Sequence, residues 1–467
     1  MSAQADMTCS RGFCMPLYEA AKVLRAAGMS VAVQGADILL KGVSTDTRSL
    51  QKGELFIALS GPNFDGNTFA EKALKSDAAA CLLERDRGVA PALIVDDSRR
   101  ALGLLAQAWR QRFSLPLVAV TGSNGKTTVK DMLASIFSRK GRVLATRGNL
   151  NNDIGMPLTL LRLNSSYDYA VIEMGANHAG EIAYLSELAA PDVALITNAA
   201  AAHLAGFGSL EGVAQAKGEI YSGLAAGGCA VMNADDAFVS LWHKIMANEK
   251  RNLRCLDFAS VAKADVHASW PATDGQVKIN TPEGEFDLRL ALPGRHNLMN
   301  ALAASAVAMA VGVDPASIRV GLEAMQTVPG RLQLKTGVAG SRILDDTYNA
   351  NPASIKAALE VLQDFSGRHF LALGDMAELG KDEKMLHAQT GEQARASGVQ
   401  RLYTLGALSR AAATAFGGEA QIFSSHSSML ERLHEDLDAD VTLLVKGSRR
   451  MQMDKIVHAL SVDGEGC

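Results

Sequence analysis

Residues 119–128 read AVTGSNGKTT and join two segments of different periodicity. Before them, LPLVAV at 115–120 is an unbroken apolar run, as a strand buried on both faces requires. After them, Val129, Met132, Leu133, Ile136 and Phe137 fall at i, i+3, i+4, i+7 and i+8, one face of a helix. Gly141, behind Arg139 and Lys140, is a helix stop. A strand that turns through glycine into a helix aims unpaired backbone N–H groups and the positive end of the helix dipole at one point, and phosphate binds there. Gly122 and Gly125 allow the backbone to approach closely, and Ser123, Asn124 and Thr128 complete the loop. Lys126 can reach the terminal phosphates of a nucleotide, and the Thr127 hydroxyl can hold Mg²⁺. The loop is shorter than G-x-x-x-x-G-K-[ST], because Val120 stands where that pattern has its first glycine.

With 467 residues the chain exceeds one ordinary core, and three textures are legible. Residues 1–14 read as an unstructured tail. Residues 15–100 carry short strand patterns (ILLKGV, ELFIALSG, AACLLE, ALIVDD) and one helix pattern, a small α/β domain. Residues 101–327 alternate the strands LPLVAVTG, YAVIEMGA, DVALITNA and GCAVMNADD with helices, which predicts a parallel sheet with helices on both faces. Residues 328–467 repeat the alternation (RILDDTY, HFLALGD, RLYTLG, TLLVKGS), a second doubly wound, Rossmann-like domain. The Pro-Gly break in VPGR marks the junction.

A net charge of −4 argues against a nucleic-acid partner, which would need a basic face. The longest nearly apolar stretch, ALAASAVAMAVGV at 301–313, is shorter than the ~20 residues of a membrane span. No cationic start precedes an apolar core at the N-terminus, so no signal peptide is expected. The six cysteines are scattered without C-x-x-C, which fits ordinary thiols in a reducing cytoplasm.

Three downstream residues could join the loop. Glu173 ends the strand YAVIEMG, at the edge where a parallel sheet binds ligands, and could take Mg²⁺; taken alone, a helix cap or surface carboxylate is the commoner role. His203 follows the strand VALITNA in a loop, where a lone histidine is more often solvated. Lys217 shares a helical stripe with Val213, Ile220, Tyr221 and Leu224, so its amine faces apolar surroundings. Burial would leave it neutral and nucleophilic, able to take up CO₂ as a Mg²⁺-binding carbamate. The residues alone favour the other outcome, in which the long stem snorkels to water.

TGSNGKTT, GNLNNDIGMPLTLL, VIEMGANHAGEI, LPGRHNLMNALAA, DDTYNANPAS and VKGSRRMQM together resemble the Mur ligases, over essentially everything from residue 15. The short loop is that family's form. The resemblance is to the branch that adds D-alanyl-D-alanine to a UDP-N-acetylmuramoyl-tripeptide; the diamino-acid-adding branch is expected to carry Asn-Pro-Arg where this chain has NANPAS. It implies an ATP- and Mg²⁺-dependent, three-domain amide ligase of small-molecule substrates, acting as a monomer. Lys126 would hold the β- and γ-phosphates, with Thr127, Glu173, His203 and an N6-carboxylated Lys217 serving the metal. Asn297 and Asn300 would lie beside adenine, and Arg331 and Asp346 would reach phosphate and ribose from the third domain. Asn151 and Asn152 would position the muramyl-peptide, and Thr45, Asp46 and Arg48 the uridine nucleotide. A folylpolyglutamate synthetase shares the loop and is the nearest alternative.

Overall fold

The computed structural model describes residues 12–462 except 63, 201–203, 250, 270–275, 291, 293 and 326–329. Three α/β layers follow one another along the chain. The first is a five-stranded sheet in the order Val31–Gln34, Ala92–Val95, Ala80–Leu83, Leu55–Ile57, Val43–Ser44, parallel except for the Val31–Gln34 edge.

The central sheet has nine strands. Across its width they run Val143–Ala145, Tyr169–Glu173, Leu117–Thr121, Val193–Ile196, Cys229–Asn233, Arg254–Ala259 and Val266–His267, all parallel, then Gln276–Thr281 and Gly284–Arg289 as an antiparallel hairpin. Leu117 and Ala119 face one core and Val118 and Val120 the other, which is why LPLVAV shows no polar alternation. The loop helix Lys126–Phe137 and the Ala-rich helix Arg295–Ala310 cover the second face. Arg295–Ala310 is apolar nearly all round because it is buried nearly all round; among the described residues no helix is long and apolar enough to cross a membrane.

The third sheet orders as Gln333–Thr336, Arg342–Asp346, Val441–Lys446, Arg368–Gly374, Arg401–Leu405, Ala420–Phe423, with an antiparallel first pair and parallel pairing thereafter. Leu344, Leu371 and Leu444 pack on one face and Ile343, Phe370 and Leu443 on the other, so it too is wrapped on both sides.

Three expectations need correcting or completing. Phe13 and Cys14, placed in an unstructured tail, are buried: Phe13 stacks edge-on against Trp109, and its N–H donates to the Leu161 carbonyl. A polar, cysteine-containing stretch masked one aromatic anchor. Cys14 also departs from the expectation of free thiols, since it is disulfide-bonded, while Cys81, Cys229 and Cys255 are free. The helix Ser98–Arg110 crosses the junction drawn at residue 100, and its Leu102, Leu105 and Trp109 belong to an apolar core shared by the first two sheets.

Candidate active site

The central and third layers face each other across a cleft of about 1700 Å³. Parallel strands end there, so strand-end residues from both sheets converge on it.

The glycine loop forms its floor. Gly122 (φ +144°) and Gly125 (φ +82°) hold backbone conformations that side chains disfavour. A methyl group at Gly122 would lie 1.9 Å from Thr197 Oγ1, and one at Gly125 would lie 2.3 Å from Asn300 Oδ1. The loop is tied to the end of the neighbouring strand. Thr197 Oγ1 donates to the Asn124 carbonyl at 2.6 Å, Asn198 Oδ1 accepts from the Asn124 N–H at 3.0 Å, and the Ser123 N–H donates to the Asn198 carbonyl at 3.0 Å. Thr128 is buried in the first turn of the loop helix. Lys126 Nζ folds over the loop, donating to the Gly122 carbonyl at 2.6 Å and the Ser123 carbonyl at 3.3 Å. Burial pushes its pKa down; Glu173 opposes this and Arg331 adds to it.

Beside the loop, a polar chain links four elements. Thr127 Oγ1 donates to Glu173 Oε2 at 2.9 Å and accepts from Arg331 Nη2 at 2.9 Å; Asn151 Nδ2 donates to Glu173 Oε1 at 2.8 Å. Glu173 is buried, so neither a surface carboxylate nor a helix cap describes it. Arg331 lies over the Tyr348 ring at 4.2 Å, and its buried Nε–H has no partner among the described residues. An unpaired buried guanidinium N–H costs free energy unless a ligand accepts it, and an anion does this best. The hydroxyl and carboxylate oxygens of Thr127 and Glu173 are the hard donors that Mg²⁺ takes, so the residues present fit that ion.

Lys217 is 2% exposed, with Nζ 5.5 Å from the Phe207 ring centroid. It does not snorkel. Burial and the nearby Lys126 charge push its pKa down to about 7, against the pull of Glu219 and Glu181. Its helix, Leu210–Gly218, is capped by the Ser209 side chain, which accepts from the Gly212 N–H. His203 lies outside the described residues.

Asn297 and Asn300 sit buried in the first turns of Arg295–Ala310, where Asn300 Nδ2 donates to Asn297 Oδ1 at 3.1 Å. Asp346 ends its strand in the cleft and pairs with Lys446 Nζ at 2.5 Å. Asn152 lines the cleft but also works locally, its Oδ1 accepting from the Gly155 N–H at 2.9 Å to start the helix Gly155–Leu160. Thr45, Asp46 and Arg48 are not in this cleft. They form a turn after the strand Val43–Ser44, where Arg48 pairs with Asp46 at 2.6 Å and holds its carboxyl down to about 2.

Sequence reading missed several cleft residues. Lys446 is 2% exposed and donates also to the Asn349 carbonyl at 2.9 Å. Its signal was a lysine closing the apolar strand of TLLVKGS. Asn351, directly before Pro352, caps the helix Pro352–Gln363, and its Nδ2 also donates to Asn124 Oδ1 at 2.8 Å, bridging the third layer to the loop. His296, beside Asp346 and Lys446, is held neutral to about pH 4, chiefly by burial.

Three family descriptions match the chain: Mur ligase family, catalytic domain, over residues 39–110; Mur ligase middle domain over 120–308; and Mur ligase, glutamate ligase domain, over 330–449. The UDP-N-acetylmuramoyl-tripeptide–D-alanyl-D-alanine ligase of Escherichia coli (strain K12) is 46% identical over 440 residues, 92% of this chain and 96% of that protein. A crystal structure of MurF from Acinetobacter baumannii superposes with a TM-score of 0.87 at 34% identity, covering 94% of this chain and 97% of that one. The MurF ligase of Thermotoga maritima in complex with ADP gives 0.79 at 28% identity, covering 89% and 96%. Its loop, its three α/β layers and these likenesses agree: the chain belongs to the Mur ligase family.

Proposed function

We propose that the protein joins D-alanyl-D-alanine to a UDP-N-acetylmuramoyl-tripeptide at the expense of ATP, completing the cytoplasmic UDP-muramoyl-pentapeptide for peptidoglycan, and that it does so as a monomer. The observation that carries the phosphoryl chemistry is the cleft. Loop N–H groups, Lys126, the unpartnered Arg331 N–H and the Thr127–Glu173 oxygens all meet there. The acceptor comes from the named relatives.

The reaction brings two anions together, a peptide carboxylate and a triphosphate. At 4 Å each pair of unit charges repels by ~4 kcal/mol at an effective dielectric of 20. Lys126, Arg331 and the helix N-terminus supply fixed positive potential where charge accumulates. A carboxylate oxygen attacks the γ-phosphorus, the bond to the bridging oxygen breaks, and ADP leaves. The dipeptide amine then attacks the acyl carbon, and phosphate leaves with the C–O electron pair as the amine loses its proton. Thr127, Glu173, His203 and a carboxylated Lys217 would hold Mg²⁺, which when bound would neutralise charge on the phosphates. A buried amine held down to about 7 has the neutral fraction that CO₂ addition needs. Asn297 and Asn300 take the adenine side, Asp346 the ribose, Asn151 and Asn152 the muramyl-peptide, and Thr45, Asp46 and Arg48 the uridine nucleotide. Closure of the third layer over the bound substrates would exclude the water that hydrolyses an acyl phosphate.

The test is phosphate release with UDP-N-acetylmuramoyl-tripeptide and, in turn, D-alanyl-D-alanine, meso-diaminopimelate, lysine or glutamate. Release should depend on D-alanyl-D-alanine alone. Equal or faster release with another acceptor would overturn the assignment.

A further inference from the structure

On the flank of the central sheet, away from the cleft lining, one side chain each of His, Cys and Asp converge. His243 projects from the helix Val239–Asn248, and Cys255 and Asp257 project from the strand Arg254–Ala259, on the same face because they are two residues apart. Cys255 Sγ lies 4.0 Å from His243 Nδ1 and 3.7 Å from Asp257 Oδ1, and His243 Nε2 lies 3.6 Å from Asp257 Oδ2. One donor atom from each can be chosen so that all three lie within 4.8 Å of one another. Around a tetrahedral zinc ion, with bonds of ~2.0–2.3 Å, donor atoms stand ~3.3–3.8 Å apart. The 4.0 and 3.6 Å distances belong to different ring nitrogens of His243; with one donor atom per residue the spacings reach at most 4.8 Å, so side-chain rotations of up to about 1 Å close the site around an ion. Asp265 stands behind the group, accepting the Asp257 N–H at 3.0 Å and adding negative charge.

We propose that His243, Cys255 and Asp257 form a binding site for a thiophilic divalent cation of the zinc class, separate from the Mg²⁺ site of the cleft. The donor set selects the ion. A thiolate and an imidazole favour Zn²⁺ or Co²⁺ over Mg²⁺, and a thiolate with one carboxylate neutralises two positive charges. Entry is open, since the His243 side chain is 42% exposed and that of Asp257 26%. A fourth position is left for water. The ion would fasten the helix to the strand next to Trp242, which is fully buried and whose Nε1 donates at 2.9 Å to the Ala214 carbonyl of the helix bearing Lys217. Its role is thus a clamp on the support of the cleft rather than a part of the reaction.

The experiment titrates metal-stripped, reduced, full-length protein with CoCl₂ in excess MgCl₂, followed by ZnCl₂. One equivalent of Co²⁺ should raise a thiolate-to-cobalt charge-transfer band that Zn²⁺ abolishes. Cys255→Ser should remove the band, and His243→Gln, a change at a partly exposed position, should weaken Co²⁺ binding by at least about tenfold. Cys81→Ser, at a buried free thiol in the first sheet, should leave the band unchanged. Absence of the band in the wild type, or its persistence in Cys255→Ser, would overturn the proposal and leave a plain His243–Asp257 ion pair.

Discussion

Gly122→Ala isolates the loop from the rest of the protein. The added methyl would meet Thr197 Oγ1 at 1.9 Å, so Thr197 must rotate away and release the Asn124 carbonyl that it now holds at 2.6 Å. Losing that hydrogen bond costs ~1 kcal/mol. A non-glycine residue at φ +144° adds ~1–3 kcal/mol of backbone strain. The sum, about 2–4 kcal/mol, is small beside the ~5–15 kcal/mol that holds a domain folded. The protein should therefore fold while its loop leaves the phosphate-binding shape. Conversion at 1.4 kcal/mol per decade predicts ATP binding weaker by roughly 30- to 700-fold. Isothermal titration with ATP measures this, with thermal melting as the fold check. Gly227→Ala is the control: it also has positive φ (+73°) but meets nothing within 4 Å. It should lower stability by ~1 kcal/mol and leave ATP affinity alone. Wild-type ATP affinity in Gly122→Ala would refute the claim that this backbone shape cradles phosphate.

Other consequences are as direct. Lys217→Ala should lose nearly all turnover and recover part of it when short carboxylic acids are added, because they replace the carbamate; undiminished turnover in the plain variant would remove the carbamate from the account. His296 is held neutral to about pH 4 although an unfolded histidine titrates near 6.5, chiefly because the half-buried ring is desolvated by the cleft wall. The unfolded state thus binds the extra proton first, and stability falls as pH drops from about 6.5 to about 4, by on the order of 3 kcal/mol in total. His296→Gln should flatten that part of the melting-temperature profile, and an unchanged slope would contradict the assignment.

How much of this was legible depended on the range of the interaction. The loop and its helix were readable because strand period, glycines and helix period all lie within about thirty residues. The Asn351 cap is local in the same way, since it needs only Asn351, Pro352 and Ser354. The buried sheet strands showed as apolar runs because both faces are covered. The hairpin Gln276–Arg289 went unread although Val277, Ile279, Phe286 and Leu288 alternate as buried positions around a Pro-Glu-Gly turn, because a period-two pattern of four apolar residues is a weaker signal than an unbroken apolar run. The stripe placed Lys217 on an apolar face, but the residues alone favoured snorkelling, and the structure buries it instead. That choice rests on Phe207 and on how the helix packs, which the stripe does not specify. Contacts such as Asn351–Asn124 and Arg331–Thr127 span more than two hundred residues of chain. They follow from how two layers meet, and no local pattern encodes them.

Every step of the proposed chemistry requires phosphate to be held by residues 122–128 at the N-terminus of the helix Lys126–Phe137. Crystals of the protein with a non-hydrolysable ATP analogue and Mg²⁺ test this directly. The triphosphate should lie on the loop, with Lys126 Nζ turned from the Gly122 carbonyl to the β- and γ-phosphates and the Arg331 Nε–H satisfied. A triphosphate seated elsewhere, with Lys126 still bonded to the Gly122 carbonyl, would contradict it.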